Sequence, residues 1–328
     1  MIARSQATVL VALGAISYGF LATITKLGYA AGFHAPELIG SQMLLGVIVL
    51  WLLAVWKGQN VRQLTLKAAL SLIAVGSFSG ITGMLYYISV RTIPASIAII
   101  MLFQFVWVGL LYDWIFGRKK PTVGSLLLVF AALAGAYLAS GTVYGGWSKL
   151  SLLGVLAGLG AAFSYAGTLY ASGKAAVHIN PWYRSALMGT GAWVIVWLVF
   201  PPTYFTPQLW LNAHWWIPVT LGLLGLIVPI LCFAFGAPRI GIQMTTMLCS
   251  IELPIAVLMA RIVFLERVDG LQWLGVALIM AGLIFKFVWF SRSSGGSHDV
   301  RDKDVKWGKS TKKYQAHKKE WKAGENLE

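Results

Sequence analysis

The chain has 328 residues, 58% of them hydrophobic and only 11% charged, with a formal net charge of +15. So large an apolar fraction cannot be folded around one water-soluble core, and the surplus apolar surface must face lipid. Hydrophobic runs of about 17 to 25 residues recur through the first 290 positions, and without the period-2 alternation of a barrel they are expected to be helices.

In chain order the predicted spans are Thr8–Ala31, Leu38–Trp56, Ala68–Val90, Ala95–Phe116, Thr122–Ala139, Leu152–Ala171, Ser185–Phe200, Trp216–Gly236, Met244–Phe264 and Leu271–Phe290. Met1 to Ala7 carries one Arg and leads into a run too long for a signal peptide, so the first run is expected to stay as a span. Ten is even, so both termini share a side. With that side cytoplasmic, the inside loops hold Lys57, Arg62, Lys67, Arg118, Lys119, Lys120, Lys174, Arg184 and Arg239, and the outside loops hold Arg91, Lys149 and Arg267. Nine cations against three place both termini in the cytoplasm, in a multi-pass inner-membrane protein. Trp51, Trp56, Trp147, Trp182, Trp210, Trp215, Trp216 and Trp289 cluster near span ends, as an aromatic belt does.

The tail from Ser291 holds a net +4, leaving +11 on the membrane portion. Cytoplasmic loops facing anionic lipid account for that balance, and no nucleic-acid partner is needed. The tail, residues 291–328, is Lys-rich with scattered Trp307, Tyr314 and Trp321 and lacks an apolar face, so disorder or weak helix at the lipid surface is expected. Cys232 and Cys249 lie in apolar runs, where small apolar packing is the expected role.

A shift of 148 residues lays Arg91 on Arg239, Gln104 on Glu252, Phe116 on Phe264 and Leu126 on Leu274. A slightly smaller shift pairs Ser17-Tyr18 with Ser164-Tyr165 and Pro36 with Pro181, the drift that unequal loops produce. The chain therefore reads as two copies of one five-helix unit, 1–143 and 150–290, joined near Gly141–Lys149. Five is odd, so the second copy enters from the opposite side: an all-α integral membrane fold of ten helices in two inverted repeats. Two inverted copies can exchange conformations around a fixed midplane site, which is alternating access.

Over residues 8 to 290 the chain resembles the drug/metabolite transporter superfamily, EamA type. The resemblance rests on Ser17-Tyr18-Gly19 leading to Lys26, on Glu252 followed by Pro254, and on Phe264-Leu265-Glu266 with Gly275 and Gly282. Gln104 stands where a Pro-containing motif is common, Arg118 stands opposite Glu266, and Gln42 takes the place of the usual Arg of the second span. The resemblance implies export or exchange of amino acids, nucleobase-like compounds, vitamins or toxic cations.

Few ionisable groups fall inside the spans. Asp113 and Lys286 lie near cytoplasmic ends, Arg261 near the outer end of span nine and Lys26 within reach of the outer interface, where snorkelling or pairing is expected. Glu252 is different, because it stands near the midplane. A carboxylate there must be protonated, hydrated by a cavity or paired, with Lys26 or Arg261 as the available cations. Its mate Gln104 is also mid-span, either flanking a central cavity or bonding a neighbouring helix. Ser79-Gly80-Ile81-Thr82-Gly83 in span three and Gly225 through Pro229 in span eight are matched weak points, read either as hinges at Gly80, Gly83 and Pro229 or as close helix packing. Pro254 can loosen the helix beside Glu252 and admit water. Tyr18, Tyr86, Tyr87, Trp107 and Tyr165 are candidate cavity walls.

All five histidines, His34, His178, His214, His298 and His317, fall in loops or the tail, and no zinc, Walker or Cys-pair motif is present. No catalytic residue, metal or cofactor is expected. The expected partners are a small-molecule solute, the bilayer and protons as a coupling ion; oligomeric state is not encoded legibly. The expected function is secondary transport, as an exporter, of a small neutral or zwitterionic metabolite such as an amino acid through a cavity between spans one, three, four, six, eight and nine. The alternatives are an integral-membrane enzyme, disfavoured by the scarcity of catalytic motifs, and a membrane scaffold, which would leave the midplane polar residues and the inverted halves without an evident use.

Overall fold

The computed structural model describes residues 3–58, 64–93, 95–118, 120–139, 151–200, 214–265 and 269–294. The join at Gly141–Lys149, the loop residues Arg62, Lys119, Lys149, Glu266 and Arg267, Trp147, Trp210 and the tail beyond Ser294 lie outside the described residues, as do the side chains of Lys286 and Trp289. The chain divides into a large unit, Met1–Leu283, and a second, Ile284–Glu328, of which only the helix end to Ser294 is described.

Among the described residues the structure is helical, without strands: α1 Arg4–Ala30, α2 Ala35–Lys57, α3 Leu66–Thr92, α4 Ala95–Phe103, α5 Phe105–Ile115, α6 Val123–Ala139, α7 Leu152–Ser172, α8 Pro181–Val199, α9 Trp216–Gly222, α10 Val228–Ile240, α11 Ile242–Cys249, α12 Glu252–Phe264 and α13 Gly270–Ser294. A π-helical turn, Leu223–Ile227, joins α9 to α10. Among the described residues seven helical runs are long and apolar enough to cross a bilayer, and α6 and the Gly270–Gly282 part of α13 are shorter apolar stretches. The 19-residue α8 is not among them, because its first turns carry Trp182, Tyr183, Arg184 and Ser185. Local chemistry starts the helices where the sequence allows. Thr65 accepts from the Ala68 N–H ahead of α3, and Asn180 accepts from the Trp182 N–H while Pro181 occupies a first-turn position that needs no donor. Gly241, at φ +78°, links α10 to α11 in one residue.

Leu52, Phe130 and Leu198 are 65%, 75% and 65% exposed, as lipid-facing side chains of spanning helices are. Without a hydrophobic force between helices in lipid, close approach through small residues holds the bundle. At the crossing of α3 and α8, a Cβ on Gly76 would stand 1.8 Å from the Met188 carbonyl oxygen and one on Gly191 1.9 Å from that of Ile73. Gly80 belongs to the same seam, its Cβ position 2.5 Å from the Ala192 carbonyl oxygen. The interruption read into span three is therefore absent: α3 is continuous through Gly80 and Gly83, and Gly80 serves the approach of α8. In span eight the interruption is present, as the π turn followed by Pro229 in the first turn of α10.

The helices of the first half pack mainly on those of the second. α1 lies against α10, α11 and α12, while α7 lies against α3, α4 and α5; α2 meets α8 and the α9–π segment, while α8 meets α2 and α3. This pattern maps onto itself when the halves are exchanged. So do two hydrogen bonds: Ser17 donates to the Leu224 carbonyl at 2.6 Å, and Ser164 to the Phe78 carbonyl at 2.7 Å.

Candidate functional site

The repeat mates Gln104 and Glu252 both sit at helix breaks. Gln104 is the single turn residue between α4 and α5, and the turn Ser250–Ile251 puts Glu252 at the start of α12, with Pro254 in the first turn where its missing N–H costs nothing. Gly19 brings α1 onto that start: a Cβ there would be 2.9 Å from the Glu252 carbonyl oxygen and 2.5 Å from Ile255 Cβ. Tyr18, one residue earlier, is thereby held beside the Glu252 side chain.

Glu252 opens into a cavity of about 80 Å³, room for several waters at ten to fifteen Å³ of such space each. Tyr18, Tyr86, Tyr87 and Tyr165 form its aromatic walls, Gln42, Ser79 and Thr82 supply amide and hydroxyl groups, and Gly83, Gly225 and Leu253 lie along its lining. Helix α2 was not expected there; it contributes Ile39, Gln42 and Met43. The Tyr165 hydroxyl donates to Glu252 Oε2 at 3.4 Å. The Tyr165 ring meets Phe105 edge-on at 4.7 Å and Tyr18 at 5.8 Å, so the two tyrosines of the repeated Ser-Tyr pair face one another beside the carboxylate. Tyr87 shares a hydrogen bond of 3.2 Å with Thr25 and donates to Gln42 Oε1 at 3.5 Å. Gly225 permits the Gln42 approach, since a Cβ there would be 2.4 Å from Gln42 Nε2.

Three sequence candidates are elsewhere. Gln104 accepts from Trp107 Nε1 at 2.8 Å and donates to the Ile100 carbonyl at 3.1 Å, so it satisfies its own helix break and Trp107, and neither lines the cavity. Lys26 places its ammonium 4.4 Å from the centre of the Phe264 ring, not at the cavity. Among the described residues no cation pairs with Glu252; its polar partner is Tyr165. Asp113 is 4% exposed and takes a hydrogen bond of 3.3 Å from Gln243, which is pairing and not snorkelling. Cys232 and Cys249 are buried and free, as packing residues.

The sequence also misplaced Arg184. Counted as a loop cation, it lies in the first turn of α8, which begins four residues before the expected Ser185, and it is 1% exposed. Its guanidinium donates to the Ala234 carbonyl of α10 at 2.7 Å and the Ser172 carbonyl at the end of α7 at 2.5 Å. The signal was the Asn180-Pro181 helix start, which fixes Arg184 inside the helix.

Apolar helices around a largely apolar, tyrosine-walled cavity with one carboxylate among its described lining residues are those of a multi-pass membrane protein. The profile of the EamA-like transporter family matches twice, over residues 6–141 and 152–288, and the chain belongs to that family. It is thus a membrane transporter of the drug/metabolite transporter superfamily, whose EamA members are transporters and not enzymes. No curated protein matches. One solved structure, described only as the crystal structure of a protein, is similar with a TM-score of 0.73 at 17% identity, covering 88% of this chain and 99% of its own; that likeness concerns the fold alone.

Proposed function

We propose that the protein is a secondary transporter that exports a small neutral or zwitterionic metabolite, of the amino-acid kind, across the inner membrane by alternating access. In this reading ten spans form two inverted five-helix repeats, 1–143 and 150–290, with both termini and the basic tail 291–328 in the cytoplasm. The packing pattern that survives exchange of the halves, and the reciprocal Ser17 and Ser164 bonds, support such a symmetry. Moving Arg184 out of the loops leaves eight inside cations against three, so the charge bias persists.

One observation carries the solute class. The cavity offers a single carboxylate among aromatic faces, hydroxyls and an amide, and no Lys or Arg among its described lining residues. Dianions such as phosphate esters need cationic clusters, whereas an ammonium group is matched by Glu252 with tyrosine rings beside it. Between solutes, a carboxylate with no ion-pair partner can take a proton from one side and release it to the other as hydration of the cavity changes, which couples flux to protons.

The test is uptake of a labelled metabolite panel into proteoliposomes, with and without a pH gradient, for the native protein and Glu252→Gln. Native protein should accumulate one amino-acid-like solute under a gradient, and a Glu252→Gln protein of unchanged melting temperature should lose gradient-driven accumulation. Movement of phosphate esters alone would sink the solute class, and undiminished gradient-driven uptake by stable Glu252→Gln would sink the coupling role.

A further inference from the structure

A second space, of about 490 Å³, lies where the end of α1, the start of α2 and the end of α3 meet. Tyr29, His34, Glu37 and Arg91 line it beside Phe33 and Val90. Glu37 is occupied by its own helix start, accepting from the His34 N–H at 2.7 Å, and no carboxylate among the described residues pairs with Arg91. The guanidinium therefore keeps its donors for whatever fills the space. The Tyr29 hydroxyl is buried without a hydrogen-bond partner and lies within electrostatic reach of Arg91. Tyr29 meets the Tyr87 ring edge-on at 6.3 Å, and Tyr87 is itself a wall of the inner cavity that holds Glu252. One aromatic pair thus separates a space with an available cation from a space with an available anion.

We propose that this outer space is a second solute subsite, in which Arg91, with the Tyr29 hydroxyl, receives the carboxylate of a small zwitterion on its way past the Tyr29–Tyr87 pair. The inference rests on the transporter reading and extends it. A guanidinium binds a carboxylate through two parallel N–H donors, and a buried phenol without a partner gains a hydrogen bond when the ligand arrives. Arg91 in the one space and Glu252 in the other favour a solute that has both a carboxylate and an ammonium over one that has either alone.

Cys232 and Cys249 are buried, so a cysteine introduced at Ala35, which lines the outer space, reports on it through a thiol reagent in proteoliposomes. A transported zwitterion should slow labelling of Ala35→Cys, an amine lacking the carboxylate should not, and adding Arg91→Gln should raise the half-protecting concentration at least about tenfold, the loss of a charge-assisted contact. Protection should persist when Glu252→Gln is added instead, because that change empties only the inner cavity of its carboxylate. Equal protection with and without Arg91→Gln, protection by amines alone, or flux without any protection overturns the subsite. Flux without protection leaves the transporter reading standing, and protection without flux supports the subsite while removing that reading.

Discussion

Two glycine-to-alanine changes of identical chemistry should fail in opposite ways. At Gly191 the added methyl would lie 1.9 Å from the Ile73 carbonyl oxygen and 2.7 Å from its carbon, both backbone atoms of a helix that cannot rotate away. Ordinary contact begins near 3.4 Å, so α3 and α8 must part by about 1.5 Å along a seam that also contains Gly76 and Gly80. Overpacking of this kind costs about 1–3 kcal/mol, a five- to 150-fold loss in the folded ratio. At Gly225 the obstacles are Gln42 Nε2 at 2.4 Å and Leu21 Cδ1 at 2.6 Å, both tips of flexible side chains. Those tips can withdraw, so stability should fall by under about 1 kcal/mol, yet the Gln42 amide leaves its place in the cavity and solute affinity should drop. Thermal melting in detergent and half-saturation of uptake, measured on both variants, separate the two. Melting of Gly191→Ala together with the native protein, or a Gly225→Ala protein less stable than Gly191→Ala, would refute the backbone clash at the α3–α8 seam.

Ser17→Ala and Ser164→Ala each remove one of the reciprocal bonds, so their costs should be equal within error, about 0.6 kcal/mol and at most about 1.7 in membrane proteins; unequal melting shifts would argue against the symmetry. Arg184→Met should destabilise by about 1–3 kcal/mol, since the Ser172 carbonyl at the end of α7 loses its donor, and Arg184→Lys should not restore melting because an ammonium cannot reach both carbonyls in the fork geometry of a guanidinium. For orientation, single cysteines at Lys119 and Arg239 should be shielded from an impermeant thiol reagent in intact cells and one at Lys149 should react; the reverse pattern would invert the assignment of sides.

The helices were legible because a lipid-facing span writes its length and hydropathy directly into the sequence, and the repeat was legible because Ser17-Tyr18 and Ser164-Tyr165 keep the same job on the two sides of the cavity. What stayed hidden depended on which neighbour each polar group would meet. Gln104 and Glu252 are mates by register and both mark helix breaks, but Gln104 can satisfy a break by itself, with an amide that donates to Ile100 and accepts from Trp107. A carboxylate has no donor with which to do the same, and Glu252 turns to Tyr165 and the cavity. The difference between Gln and Glu at one register position is thus one source of the site's asymmetry, beside Gln42, Tyr86 and Tyr87, which line the cavity from the first half. Arg184 was misread for the complementary reason: hydropathy treats any Arg as wet, whereas two carbonyls from α7 and α10 solvate this one inside the bundle. An exchange of the halves around Tyr18 and Tyr165 would carry the packing with it but not the charges, so the two conformations need not be equal in energy. Glu252, whose mate by register is the uncharged Gln104, is the group whose hydration would set that difference.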